Sequence, residues 1–304
     1  MTAPRLIVFG RSGQVGSELA RAALPGGWRL SSIAREEVDL AASASDIAAA
    51  LDRHAKDFSP VVVVNAAAYT AVDRAESDES ACQTANCRGA ESIARACAAR
   101  EFPLIHLSTD YVFNGQKTMP YREGDETGPL SVYGRTKLAG EEAVRNETPA
   151  HVVLRTAWVF SPFGSNFVKS MLRMSRERSE LAIVDDQRGC PTAAKDIAAA
   201  IVEVAAQLAG GKADGYGTFH LCGTGCCTWF EFARAIFAAA ARLNHPVPNL
   251  RAISTADYPT AARRPANSVL DCSKIHDVYK IETRPWQGAV IDCVEELLGT
   301  EGGA

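Results

Sequence analysis

No stretch of this chain approaches the ~20 consecutive apolar residues that a membrane-spanning helix needs. The first residues, Met1-Thr2-Ala3-Pro4-Arg5, lead straight into a strand-like run with no apolar signal segment between. A cytoplasmic location without a membrane partner is the expectation. Internal repeats, low-complexity tracts and blocks of like charge are missing too. There is no cationic excess: the net charge of −4 disfavours nucleic acid as a partner, and an anionic substrate would have to be met by local cations. The nine cysteines are odd in number and lack repeated C-x-x-C spacing. Without an extracellular address they read as reduced core thiols, the pair Cys226-Cys227 included, and neither zinc nor a disulfide framework is indicated.

What is present is enough apolar material for a large core: 304 residues, 47% hydrophobic and 22% charged, a size that suggests two lobes. Leu6-Ile7-Val8-Phe9 reads as a strand, followed by a glycine turn and a helix-like run over 17–24. Val61-Val62-Val63-Val64 is apolar at every position, as a parallel strand buried on both faces should be. The β-α-β rhythm continues through about residue 160, which predicts an α/β fold with a Rossmann-like, right-handed, doubly wound parallel sheet. Beyond 160 the pattern breaks. Residues 1–160, with 190–225 returning to them, are expected to form the cofactor lobe, and 161–189 with 226–304 a smaller, discontinuous substrate lobe. His220 reads as a satisfied strand histidine and Glu231 as a solvated helix residue.

The turn after the first strand is G-x-x-G-x-x-G over 10–16, with Gly10, Ser12, Gly13, Gln14 and Val15 as candidate cofactor contacts. Glycines there permit a tight turn and close backbone approach to a pyrophosphate, which a helix N-terminus stabilises. The second strand ends without the acidic residue that would hold an adenosine ribose 2′-hydroxyl; Ala34-Arg35 stands there instead. A guanidinium suits a 2′-phosphate, which favours NADPH and leaves NADH open. Asp39 and Leu40 would flank the adenine, or Asp39 would cap the next helix. Ala66, Ala67 and Ala68 after the third strand leave room for a cofactor, or simply pack helix on sheet.

Tyr133-Gly134-Arg135-Thr136-Lys137 carries the chemistry, with Ser108-Thr109-Asp110 at the end of the apolar run 102–107. Residues four apart share a helix face, so the Tyr133 phenol and the Lys137 ammonium can meet one substrate. A phenol is a poor acid at neutral pH, and a neighbouring cation lowers its pKa. Polar residues at the carboxyl end of a strand lie where ligands bind in an open α/β sheet.

Together with the stretches 64–76, 108–115, 133–141, 155–160, 166–167, 186–192 and 258–265, these motifs resemble the extended short-chain dehydrogenases, and within them the dTDP-4-dehydrorhamnose reductases, over nearly the whole length. The resemblance implies a dTDP-sugar substrate whose C4 ketone is reduced by a nicotinamide cofactor, with Tyr133 as proton donor, Thr109 orienting the carbonyl, and Lys137 holding the cofactor ribose while lowering the Tyr133 pKa. It places Asp110, Trp158 and Asn166 near the sugar, although a tryptophan after a strand also fits core packing. It allows a homodimer with Mg²⁺ at the contact. Arg263 and Arg264 are candidates for the substrate diphosphate, with Asn166 or Lys169 as the alternative. Tyr111 stands where sugar-nucleotide dehydratases carry a second acidic residue, which argues for simple reduction. Two other readings stay open: a non-catalytic NADP-binding subunit, like the beta subunit of methionine adenosyltransferase, and a sugar-nucleotide epimerase or dehydratase.

Overall fold

The computed structural model describes residues 2–299. Its main sheet has six strands, all parallel: β1 (Arg5–Phe9), β2 (Arg29–Ile33), β3 (Val61–Asn65), β4 (Leu104–Thr109), β5 (His151–Thr156) and the strand Gly217–His220. Their spatial order is Gly217–His220, β5, β4, β3, β1, β2. The chain moves outward from β1 to β2 and then crosses back to β3 on the other side of β1. The direction of winding reverses between β1 and β3, and ligands bind beyond the carboxyl ends of strands at such a switch point. This is the doubly wound α/β arrangement expected from the strand and helix rhythm.

Alternation along the strands sorts their side chains onto two helix layers. Leu6, Val8, Val62, Val64, Ile105, Val152 and Leu154 face one cluster, closed by the helices Gln14–Arg21 and Ala194–Ala209. Ile7, Phe9, Val61, Val63, Leu104 and Val153 face the other, closed by Ala44–Ala55 and Gly89–Ala98, with Val144 of the helix Val132–Glu147. Every residue of β3 is buried, which explains its uninterrupted valines.

A separate cluster gathers Val168 and Leu172 from the helix Phe167–Glu177, Phe232 and Ile236 from Trp229–Ala241, and Val290 and Val294 from Trp286–Gly299. A parallel pair, Glu180–Val184 with Asn249–Ile253, adds Leu181 and Ile183. Ile275 and Tyr279, on the helix Ser273–Tyr279, instead pack in the main-sheet cluster, so the chain returns to that sheet within the stretch 226–304. Among the described residues no helix is long and apolar enough to cross a membrane.

Candidate active site

Gly10 follows β1 with φ +95°, a left-handed conformation, and a Cβ there would lie 2.6–2.8 Å from the backbone of Ala66 and Ala67. Gly16 is closed as tightly, since its Cβ would stand 2.1 Å from the Gly10 carbonyl oxygen. Gly13 meets nothing nearer than 3.4 Å and caps the helix Gln14–Arg21 without a side chain. Two glycines thus serve the packing of the turn, and the middle one leaves the helix N–H groups open to an anion. Ser12 is exposed, Val15 packs in the core, and Ala66, Ala67 and Ala68 are half-buried at the end of β3. The Gln14 side chain turns away from the helix end: its Oε1 accepts from Asn166 at 3.0 Å and Ser161 at 3.2 Å, and its Nε2 donates to the Val159 carbonyl.

Past β2, Arg35 is exposed and its Nε lies 2.7 Å from Asp39 Oδ2. The N–H of Ala41, and then Arg35, hold the Asp39 carboxyl below the usual carboxylate range. Asp39 does not cap the next helix. Ser43, directly before Ala44–Ala55, accepts the Asp46 N–H, because only a residue adjoining the first turn can reach it. Leu40 packs over Gly89, where a Cβ would stand 2.7 Å from its own.

Ser131 caps the helix Val132–Glu147 by accepting the Gly134 N–H at 3.1 Å. A Cβ on Gly134 would come within 2.3 Å of the Tyr111 carbonyl oxygen, so glycine lets the helix close on the end of β4. Thr109 and Tyr133 face each other there, and Lys137 lies one helical turn on. The Thr109 hydroxyl donates to Asp110 Oδ1 at 3.0 Å and accepts the Tyr111 N–H at 3.1 Å. Burial pushes the Tyr133 phenol up, and the facing Thr109 hydroxyl pulls it down. Lys137 Nζ donates to the Leu107 carbonyl at 2.6 Å. Burial pushes its ammonium down to about 8, with Glu141 opposing. The Lys137 ammonium is turned onto the Leu107 carbonyl, and the expected lowering of the Tyr133 pKa is opposed by burial and by the Asp110 carboxylate. Burial also pushes the Asp110 carboxyl up to about 7, against the hydroxyls of Ser268 and Thr109, and its Oδ2 has no hydrogen-bond partner.

Behind these residues lies a network that sequence reasoning missed. Glu141, fully buried, accepts from Ser108 Oγ at 2.5 Å, from Arg155 Nε at 2.8 Å and Nη2 at 2.7 Å, and from Arg145 at 3.1 Å. It is one helical turn beyond Lys137, and Arg155 is a charge directly after the apolar run 152–154 of β5; those were the available signals.

Trp158 has φ +45°, a strained conformation for a bulky side chain. Its ring stacks on Trp229 at a centroid distance of 3.5 Å and an interplanar angle of 6°, and Gly189 leaves room for it. Asn166 caps the helix Phe167–Glu177 through Oδ1, and its Nδ2 donates to Gln14, Ser161 and Phe163. Arg264 grips both oxygens of Asp73, at 3.0 and 2.7 Å, so its guanidinium is committed within the chain. The fallback, Lys169, donates to the Pro162 carbonyl. Arg263 is exposed. Among the described residues no group of three or more His, Cys, Asp or Glu side chains is arranged to hold a metal ion. Glu231 forms a capping box with Thr228. His220 Nδ1 is bonded to the Tyr121 carbonyl, but its Nε2 is buried without a partner.

A family model described as the RmlD substrate binding domain matches residues 4–298. The chain is 43% identical over 295 residues to a dTDP-4-dehydrorhamnose reductase of Sinorhizobium fredii, covering 97% of this chain and 98% of that one. It is 40% identical over 297 residues to the Escherichia coli K12 protein of the same name, covering 97% and 98%. A Bacillus anthracis dTDP-4-dehydrorhamnose reductase solved in complex with NADP superimposes with a TM-score of 0.88 at 30% identity, covering 97% of this chain and all of that one (100%). The Clostridium acetobutylicum protein gives 0.87 at 31%, covering 96% and 99%.

Proposed function

The chain belongs to the family of the RmlD substrate binding domain, and from that premise we propose that it reduces the C4 ketone of dTDP-4-dehydro-6-deoxy-L-mannose with NADPH to give dTDP-L-rhamnose. The observation that carries this reading is the facing of Thr109 and Tyr133 at the carboxyl end of β4, with Lys137 one helical turn on and bonded to the Leu107 carbonyl. The residues present fit a dinucleotide: Gly13 is open where Gly10 and Gly16 are closed, and the three alanines after β3 keep the strand end low. When bound, the reduced nicotinamide supplies the hydride. Thr109 Oγ1 orients the ketone by turning its one proton from Asp110 Oδ1 to the ketone oxygen, and the Tyr133 phenol passes its proton to that oxygen as negative charge develops. Lys137 holds the cofactor ribose through its ammonium. Asp110, with a carboxyl near neutrality in its titration and one unpartnered oxygen, bonds a sugar hydroxyl. The test is stoichiometry: one reduced cofactor should be oxidised per ketone consumed. A regulatory subunit would bind the cofactor without turnover, and an epimerase or dehydratase would return it unchanged.

The lysine role sets a pH dependence. Because the Lys137 pKa in the folded protein is pushed down to about 8, the ammonium is lost as pH rises through that value. kcat/KM should fall on the alkaline side of about 8. A profile flat to pH 10 would remove the charged form from the mechanism.

Cofactor preference rests on Arg35. Its pair with Asp39 is exposed, and such pairs contribute only about 0.2–1 kcal/mol, whereas a charge-assisted bond to a phosphate contributes about 1.5–3 kcal/mol. Exchange of partner is therefore favourable. Arg35→Ala should raise KM for NADPH roughly tenfold and leave KM for NADH nearly unchanged; equal responses would return Arg35 to the solvated surface.

For the substrate diphosphate, Arg263 takes the clamp role, since Arg264 is held by Asp73. Arg263→Ala should raise the sugar-nucleotide KM roughly ten- to a hundredfold, the loss of one such bond, with NADPH affinity spared. An unchanged KM would move the clamp elsewhere.

A further inference from the structure

Three thiols outside the proposed chemistry lie together. Cys222 follows the strand Gly217–His220, and Cys272 directly precedes the helix Ser273–Tyr279. Their sulfurs are 3.4 Å apart, and the Cys222 N–H donates to the Cys272 sulfur at 3.3 Å. Cys190 lies in the same buried cluster as Cys222, against which Cys272 also packs. Cys222 is buried and Cys272 half-buried. Cys222 also lines a cavity of about 280 Å³ bordered by Thr192, Asp196 and Arg284, while the half-buried Cys272 is the one of the pair open to solvent. Among the described residues no other pair of thiols is seen in such contact, and of the adjacent Cys226 and Cys227 the first is exposed and the second buried.

We propose that Cys222 and Cys272 form a reversible disulfide under peroxide, with Cys190 as a third thiol placed to pair with Cys222 by exchange. Cys272, the more accessible sulfur, attacks hydrogen peroxide as thiolate; the O–O bond breaks, the sulfur becomes a sulfenic acid, and the displaced hydroxide takes up a proton to leave as water. Cys222 then attacks that sulfur. The S–S bond forms, the S–O bond breaks, and the second hydroxide leaves as water with the Cys222 proton. Two thiols and one peroxide give a disulfide and two waters. The neighbouring thiols Cys190 and Cys272, and then burial, raise the Cys222 pKa, so what brings Cys222 into the second step is the 3.4 Å contact of its sulfur with that of Cys272 and not an acidic thiol. Cys190 and Cys222 share a cluster with Phe113 and Ala157, with Trp158 packed against it, so the bond joins redox state to the wall of the proposed sugar site.

The test uses the full chain treated with hydrogen peroxide, alkylated, digested without reductant and mapped by mass. A Cys222–Cys272 linked peptide that disappears with dithiothreitol is expected. Cys272→Ser, a change at a half-buried position, should abolish both the Cys222–Cys272 link and the Cys190–Cys222 link that exchange derives from it; a Cys190–Cys222 link formed in that variant would overturn the assignment of Cys272 as the thiol that reacts first. Alkylated, unlinked Cys222 and Cys272 under conditions that oxidise exposed Cys226 would overturn the proposal. These masses do not depend on the proposed reductase activity, whereas the link to the sugar site does and is read separately as a higher sugar-nucleotide KM of the oxidised protein.

Discussion

Replacing Tyr133 by Phe should lower kcat by roughly 10²–10⁴, the range expected for losing a general acid, while NADPH still binds. The ring stays, and with it the edge contact to Tyr111, whose ring centroid lies 5.9 Å away; only the hydroxyl facing Thr109 is lost. Steady-state turnover together with a cofactor titration separates chemistry from folding. The alternative donor in the site is Asp110, whose carboxyl carries a proton for part of the population near neutrality. Near-normal turnover in the Phe variant would transfer the proton to Asp110, and Asp110→Asn would then become the damaging change.

A second large effect is expected at Glu141, which touches no ligand in the account above. Its side chain is fully buried, and that of Arg155 is 4% exposed. Removing one partner of a buried pair leaves the other charge uncompensated, at a cost of about 3–5 kcal/mol. Glu141→Ala should therefore lower the unfolding free energy by that amount at neutral pH in a denaturant titration. Burial pushes the Glu141 carboxyl up, but Arg155, Ser108 and Arg145 outweigh it and hold the carboxyl below its ordinary value. A depressed folded pKa contributes stability above the unfolded value of about 4.3, and that contribution is lost as pH falls through the lower folded value. The gap between wild type and variant should narrow below pH 4. A difference under 1 kcal/mol at pH 7 would mean that water reaches Arg155.

The parts of this molecule legible in its sequence are those encoded by local spacing. The valines of β3, the glycine turn and the Tyr133–Lys137 interval each follow from a strand period, a steric need or a helical turn within a few residues. What escaped was decided by residues far apart in the chain. Arg264 looks like a phosphate ligand until Asp73, 191 positions away, is seen to hold it. Glu141 stands in the quoted motif, yet its partners Ser108 and Arg155 are 33 and 14 residues distant. Asn166 reads as a substrate contact, and its bond to Gln14 of the glycine turn, 152 positions away, appears only in the fold. The direction of the Lys137 ammonium depends on the Leu107 carbonyl, an atom that carries no sequence signal.

The central claim, hydride transfer to a sugar-nucleotide ketone with Tyr133 returning the proton, is tested most directly by isotope. The protein is incubated with dTDP-4-dehydro-6-deoxy-L-mannose and NADPH carrying deuterium at nicotinamide C4 on the transferred face, and the product is examined by mass spectrometry and proton NMR. The account predicts one deuterium per product molecule, located at sugar C4, with one oxidised cofactor for each. Product without deuterium at C4, or cofactor consumed without a reduced sugar, would contradict it.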